Sequence, residues 1–305
     1  MSELPDGVVP DFPLARLTTV RTGGPAELFA RPGTVTALQE LLAWADSQGL
    51  EVGVVGSGSN LLIADAGVRG LVLKLDQELT QIELDGTRIN CGGGARLPAV
   101  SAQAARAGLR GIEFGVNIPG TVGGAVRMNA NAYGGELARA LDWVDVVDAS
   151  GAERRTPDQL GFAYRRSALR AGEVVARAAF ALQPAAADEV KATLADMRSR
   201  RRAAQPSGIK TFGSTFKNPD DPRAQGRSAG QLLEAAGCRG LRIGGASFSA
   251  KHANFVENHG EATTADVIAL MAEGRRRVQE RFGVTLVPEV QTLGRVPIPD
   301  DWERS

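Results

Sequence analysis

Between Gly111 and Gly135 the chain reads GIEFGVNIPGTVGGAVRMNANAYGG, with seven glycines, three asparagines and only two charged side chains, Glu113 and Arg127. No other stretch limits the fold as strongly. Glycine supplies positive φ and lets backbone approach a ligand or another backbone closely, and Asn tolerates the left-handed region better than most residues. Such a run serves one of two ends. It is a tight corner of a sheet, or, with Ile118-Pro119-Gly120 fixing a turn, Thr121 to Ala125 form a concave nest of N–H donors for phosphate. Composition alone leaves the two about even.

The rest of the chain narrows the context. A length of 305 residues exceeds a typical single core and points to two or three domains. Lys plus Arg balance Asp plus Glu at 35 each, so no bulk field draws in nucleic acid or a membrane surface. Cys91 and Cys238 are the only cysteines, and His252 and His259 the only histidines. That excludes a disulfide scaffold, and no metal site is expected. The opening MSELPDGVVPDF has neither the basic nor the apolar region of a signal peptide, and no apolar run nears the ~18 residues of a membrane span. A cytoplasmic protein is expected, as a monomer.

Local signals order the elements. Leu17 to Pro32 reads as two short strands around Arg21-Thr22-Gly23-Gly24. Thr34 is an N-cap for a helix with Leu38, Leu41, Leu42 and Ala45 on one face and Gly49 at its end. Strands at Glu51 to Val55, Leu61 to Ile63 and Val68 to Leu75 complete a small α/β unit. Asp85-Gly86 marks a hairpin, and Leu97 to Ala107 a helix closed by Gly108. A second hairpin turns at Ser150-Gly151, and Glu173 to Leu182 adds a strand. Ala186 to Ala204 is a polar helix whose terminal Arg198, Arg200, Arg201 and Arg202 complement the helix dipole. After Gln205-Pro206 come a helix from Ser228 to Ala236, strands near Leu241 to Ile243 and Asn254 to Glu257, a long helix opened by Thr263, and a strand from Thr285 to Leu293. This alternation suits an α+β fold better than a doubly wound sheet.

Gly56-Ser57-Gly58-Ser59-Asn60-Leu61 follows a strand, and Asp76 lies twenty residues after Gly56. As a dinucleotide fingerprint it fails, because Leu61 takes the place of the third glycine and LLIADAGVRG reads as strand and turn. A strand–loop–strand phosphate loop using backbone donors and the Ser57 and Ser59 hydroxyls remains, beside the plainer reading of an ordinary loop. Two Gly-rich loops in one domain are more telling, since a dinucleotide has two phosphates to hold. Neither a Walker A sequence nor a G-x-S-x-G elbow is present. Taken singly, Gly213-Ser214-Thr215-Phe216-Lys217-Asn218-Pro219 reads as a polar turn, Tyr164-Arg165-Arg166-Ser167 as a surface turn, and Glu289 as a solvent-facing strand residue.

Together and in this order, RTGGPAELF, GSGSNLL, NIPGTVGGAVRMNANAYG, YRRS, GSTFKNP, AGQLLEAAG, HANFVEN and PEVQTLG resemble the UDP-N-acetylenolpyruvoylglucosamine reductase family, from about Thr18 to Gly294. The resemblance implies a two-lobed FAD-binding domain of the vanillyl-alcohol-oxidase-like type over residues 18–185, with lobes of about 18–75 and 76–185. A smaller α+β substrate-binding domain follows over 205–305. It also implies reduction of the enolpyruvyl ether of a UDP-sugar by NADPH through FAD, in peptidoglycan precursor synthesis. Arg165, Ser214 and Glu289 match the catalytic positions. Gly56, Ser57, Gly58, Ser59, Asn60 and Leu61, with Asn117, Ile118, Pro119, Gly120, Thr121, Gly123, Gly124 and Ala125, match the loops around the FAD pyrophosphate and flavin. Tyr133, Lys217, Asn218 and His252 are candidate substrate contacts.

By the same resemblance Arg165 grips the substrate carboxylate, Glu289 donates to the enolate oxygen if protonated, and Ser214 protonates the carbanion. Lys217 either steadies the serine alkoxide or binds substrate phosphate. Ser57, Asn117 and Asn131 stand where the family commonly has glycine, and the two asparagines can take a left-handed backbone at modest cost, a question their φ angles answer. The span from Arg166 to Gly213 lacks tyrosine, which matches the family's second type without a tyrosine-bearing loop. A different FAD-linked oxidoreductase, or a non-catalytic nucleotide-sugar-binding relative, are the competing readings; the retained GSTFKNP and HANF segments and the three catalytic positions weigh against them.

Overall fold

The computed structural model describes residues 4–206, 208–299 and 302. The chain divides into two compact units. The first comprises Met1–Phe12, Glu27–Ser57 and Arg69–Arg201, and the second Pro13–Ala26, Gly58–Val68 and Arg202–Ser305. Both are α+β.

In the first unit a five-stranded antiparallel sheet runs in the order Gly151–Arg155, Leu141–Asp148, Val174–Ala181, Arg88–Gly92, Ile82–Asp85. The Ile82–Asp85 and Arg88–Gly92 strands form the expected hairpin, with Asp85 opposite Arg88 and Gly86 at φ 58. Ile89, Val144, Val146, Ala178 and Phe180 point from this sheet into a core shared with Leu97 and Val100 of the Leu97–Arg106 helix and with Val122 and Val126 of the Gly-rich stretch. A second core gathers Leu38, Leu42 and Ala45 of the Val35–Ser47 helix against Leu71 and Leu73. That helix begins where Thr34 accepts from Ala37 N–H, as its sequence implies.

In the second unit the strands Lys210–Thr211, Val256–Asn258, Ala246–Phe248 and Arg242–Ile243 form an antiparallel sheet. The helices Ala229–Ala235 and Thr264–Phe282 supply Leu232, Leu233, Val267, Leu270, Met271 and Val278 to its core. Both start on a capping box, from Ser228 with Gln231 and from Thr263 with Asp266. Leu61–Ile63 pairs in parallel with Gln291–Leu293, so the exit of the Gly56–Leu61 loop is tied to the C-terminal segment.

Several expectations need correction. Leu17 to Pro32 holds one strand, Pro25–Ala30, preceded by a 3-10 turn at Leu14–Leu17. The Thr18 hydroxyl donates to Ala15 O and accepts from Arg21 N–H, and this local bonding competes with a strand ladder. Thr285 to Leu293 is strand only at Gln291–Leu293, because Pro288 has no N–H to give and makes an isolated bridge to Phe216. The strands Val9–Pro13 and Ala246–Phe248 are additions that periodicity did not reveal.

Candidate active site

The two Gly-rich loops use their backbone donors differently. In the Gly111–Gly135 stretch, Thr121 caps the Val122–Arg127 helix by accepting from Gly124 N–H. Val122 N–H donates to Ala95 O at 2.9 Å, Gly123 N–H to Gly93 O at 2.7 Å, and Ala125 N–H to Thr121 O. These donors are used inside the protein, so Thr121 to Ala125 is not an open anion nest. The glycines serve packing instead. A Cβ on Gly115 would lie 2.6 Å from Ser101 Oγ, and one on Gly135 2.5 Å from the Phe114 ring.

The Gly56–Leu61 loop behaves in the opposite way. Among the described residues no acceptor lies on the N–H of Gly56, Ser57, Gly58, Ser59 or Asn60. A Cβ on Gly56 would meet Thr121 Oγ1 at 2.4 Å, and Gly58 sits at φ 60 with Leu17 O only 2.1 Å from where its Cβ would be. Lys74 donates to Gly56 O at 2.6 Å. Its pKa is lowered, first by burial. Ser57 Oγ and Asn60 Oδ1 are buried polar atoms without a hydrogen-bond partner among the described residues. Consecutive N–H donors and the orphaned Ser57 hydroxyl, held on a backbone with no room for a side chain at Gly56, are what an anionic cofactor group requires.

Asn117 and Asn131 are not left-handed. Asn117 ends the 3-10 turn Glu113–Asn117, is buried, and its Nδ2 donates to Met197 O at 2.7 Å. Arg201 donates to the Asn117 carbonyl, so this arginine does more than complement the helix dipole: its guanidinium fastens the end of the Ala187–Ala204 helix to the Gly-rich stretch. Burial lowers its pKa. The positive φ values fall on Asn129, at 39, and on Tyr133, at 50. Tyr133 and Gly134, at φ 80, make a two-residue turn between Asn131–Ala132 and Gly135–Glu136. This turn needs positive φ at both central residues and ordinarily takes Asn-Gly. A tyrosine held there with its side chain exposed is strained placement of the kind found at ligand sites, which favours Tyr133 as a contact residue.

The arginine turn is built by the same stretch. Ala163 and Arg166 exchange backbone hydrogen bonds, and Arg165 between them has φ 56, the value a type II turn requires and an L-residue resists. Asn129 Nδ2 donates to Ala163 O, the Ser167 hydroxyl donates to Arg127 O at 2.9 Å, and Arg165 Nη1 donates to Asn131 Oδ1 at 2.8 Å. Arg127 in turn donates to the carbonyls of Leu169, Arg170 and Glu173. Beneath the turn the buried Glu173 carboxylate accepts from Arg155 and from Arg170, and the Arg155 guanidinium holds its pKa down at about 2.

In the second unit Ser214 and Glu289 lie on facing backbone segments. Glu289 N–H donates to Thr215 O at 2.9 Å, and Lys217 N–H to Val287 O at 2.8 Å. Buried Asn254 fixes the first segment: its Oδ1 accepts from Phe216 N–H, its Nδ2 donates to Phe216 O, and its carbonyl accepts from the Thr215 N–H and hydroxyl. Asn60 fixes the second, donating Nδ2 to Glu289 O at 3.1 Å, while Gln291 N–H donates to Asn60 O. Gly213 N–H donates to Ser59 O.

Two of the substrate candidates have structural partners. Asn218 Oδ1 accepts from Ala229 N–H at the start of the Ala229–Ala235 helix. His252 Nδ1 accepts from Asn254 N–H, packs where a Cβ on Gly230 would stand, and is kept towards the neutral form by burial. Asn254 and Asn129 are the residues whose site role becomes visible only here; their partners lie far along the chain.

Comparison with known proteins follows the same division. The family profile for the UDP-N-acetylenolpyruvoylglucosamine reductase C-terminal domain matches residues 205–293, and that for an FAD-binding domain matches residues 26–156. UDP-N-acetylenolpyruvoylglucosamine reductase 2 of Symbiobacterium thermophilum is 44% identical over 287 residues, 93% of this chain and 92% of that protein. The corresponding reductase of Anaeromyxobacter dehalogenans is 45% identical over 291 residues, 95% of this chain and 87% of that protein. The crystal structure of UDP-N-acetylenolpyruvylglucosamine reductase from Thermus caldophilus superposes with a TM-score of 0.80 at 37% identity, covering 94% of this chain and 98% of that one.

Proposed function

The chain belongs to the UDP-N-acetylenolpyruvoylglucosamine reductase family, and from that premise we propose a site-level account of its activity. It is an FAD-dependent oxidoreductase that reduces the enolpyruvyl ether of UDP-N-acetylglucosamine-enolpyruvate to UDP-N-acetylmuramate with NADPH, in peptidoglycan precursor synthesis. The observation that carries this is the extent of the likeness, which spans the FAD-binding portion and the C-terminal domain alike.

The residues present fit FAD. The N–H groups of Gly56 to Asn60 suit its pyrophosphate, with the buried Ser57 hydroxyl as a further donor to the same group. Asn117, Ile118, Pro119, Gly120, Thr121, Gly123, Gly124 and Ala125 then act through shape, as a wall beside the flavin. When bound, FAD would supply the two-electron chemistry that links NADPH oxidation to reduction of the enolpyruvyl double bond.

The protein must stabilise the negative charge that develops on the adjoining carbon and its carboxylate. Arg165 grips that carboxylate with the planar fork lysine lacks. Glu289 donates to the enolate oxygen if its carboxyl is protonated. Ser214 delivers a proton to the carbon; a hydroxyl is a weak acid in water, but this carbanion is a strong base. Lys217, three residues on along the same segment, either steadies the alkoxide that results or binds substrate phosphate, and Tyr133, Asn218 and His252 complete the sugar-nucleotide contacts. The strained Arg165 turn and the facing Ser214 and Glu289 segments support these roles.

By function the chain is divided into an FAD-binding part at 18–185, with lobes of about 18–75 and 76–185, and a sugar-nucleotide part at 205–305. A monomer in the cytoplasm is proposed. No helix among the described residues is long and apolar enough to cross a membrane, and both cysteines are free thiols. Among the described residues no cluster of His, Cys, Asp or Glu could hold a metal.

The test is NADPH oxidation by the purified yellow protein with and without the enolpyruvyl sugar nucleotide. Oxidation that depends on the sugar nucleotide is expected. A protein without a flavin spectrum, or one indifferent to the sugar nucleotide, overturns the proposal.

A further inference from the structure

We infer that Asn131 is a positioning residue for this reaction, holding the Arg165 guanidinium in the orientation that receives the substrate carboxylate. The inference rests on the reading of Arg165 as the carboxylate-gripping cation and adds a second residue to it. Arg165 has its backbone set by the turn at φ 56, between Ala163 and Arg166, whose amides exchange two hydrogen bonds. That leaves the side-chain torsions, and an arginine with no further restraint spreads over many rotamers. Here the head group is restrained. Asn131 Oδ1 accepts from Nη1 at 2.8 Å, and the Tyr164 ring centroid lies 5.1 Å from Cζ. A guanidinium has donors only, so the Asn131 atom that meets it is the amide oxygen.

Asn131 is itself well placed for the task. It is paired with Glu136 across the two-residue Tyr133–Gly134 turn, and Glu136 is bonded through Oε1 to Asn129, whose Nδ2 also reaches the Ala163 carbonyl of the arginine turn. The same short hairpin therefore fixes both the backbone of the turn and the head of its arginine. The acceptor is neutral. A carboxylate at this position would hold the guanidinium more tightly but would also occupy the charge that the substrate carboxylate needs. An amide oxygen orients the fork without adding a negative charge of its own.

The test uses the flavin-loaded enzyme and four variants: Asn131→Ala, Asn131→Asp, Arg165→Ala, and Asn131→Ala combined with Arg165→Ala. Flavin reduction by NADPH and flavin reoxidation by the enolpyruvyl sugar nucleotide are timed separately, with melting temperature alongside. Asn131→Ala should slow reoxidation about tenfold and leave reduction by NADPH unchanged. Asn131→Asp, which keeps size and hydrogen bond, should slow reoxidation more than alanine does, about a hundredfold, and it carries the test if the alanine variant fails to fold. In the Arg165→Ala background the Asn131→Ala change should add no further loss. If Asn131→Asp reoxidises at the wild-type rate, or Asn131→Ala costs the same in both backgrounds, Asn131 is not positioning Arg165. If Arg165→Ala is slow while Asn131→Ala matches wild type, only this inference falls. If Arg165→Ala itself reoxidises normally, the reading beneath it falls as well.

Discussion

Asn254 bonds both faces of one peptide residue, accepting from Phe216 N–H at 2.9 Å and donating to Phe216 O at 2.8 Å. Phe216 is two residues after Ser214, and Thr215 between them is held by the Asn254 carbonyl. One buried asparagine thus sets the course of the segment that carries the proposed proton donor. Asn254→Leu, similar in volume but without the amide, leaves two buried backbone groups of Phe216 without partners. Each costs about 1–3 kcal/mol. Chemical denaturation should therefore show a loss of about 2–6 kcal/mol, and the residual folded enzyme should lose turnover beyond its loss of stability.

Gly56 has a close neighbour of a different kind. A Cβ at this position would stand 2.4 Å from Thr121 Oγ1, so Gly56→Ala must push the phosphate-suited loop and the capping threonine apart. The purified variant should carry markedly less flavin, read as the ratio of flavin to protein absorbance. Wild-type flavin content in Gly56→Ala would show that this approach is not needed for cofactor binding.

Glu173 gives a pH-dependent prediction whose sign follows from its depressed pKa. In the folded protein the carboxyl titrates at about 2, against an ordinary value of 4.5, because Arg155 and Arg170 hold its charged form. The stabilisation is fully present above pH 4.5 and is lost as pH falls towards 2. Breaking a buried pair on one side costs about 3 kcal/mol. Glu173→Gln should therefore melt below wild type by a constant margin from neutral pH down to about 5. That margin should shrink steadily below pH 4.5, as wild type itself loses the ion pair.

Whatever depends on bonds three or four residues apart was readable in advance. Thr34, Ser228 and Thr263 each start a helix by accepting from an amide three residues on, and the Asp85-Gly86 signal marks a hairpin whose two turn residues are Gly86 and Thr87. What depends on distant partners was not. The amides of Val122 and Gly123 look available for phosphate until Ala95 and Gly93 arrive from another turn of the chain. Asn131 looks like a substitute for glycine in a left-handed corner, yet it sits in a strand pair and faces an arginine 34 residues away. Arg201 looks like one more charge in a helical run, and its partner is the Asn117 carbonyl 84 residues back. The family was legible because its motifs are short and keep their order; the scaffolding of each motif was not, because it comes from elsewhere in the unit.

The account turns on Ser214 as the group that protonates the substrate after hydride has been delivered. Stopped-flow measurement of Ser214→Ala, with flavin reduction by NADPH and flavin reoxidation by the enolpyruvyl sugar nucleotide recorded separately, tests this most directly. The expected result is reduction near the wild-type rate with reoxidation slowed roughly 10³-fold or more. Reoxidation at the wild-type rate, or equal slowing of both half-reactions, would contradict it.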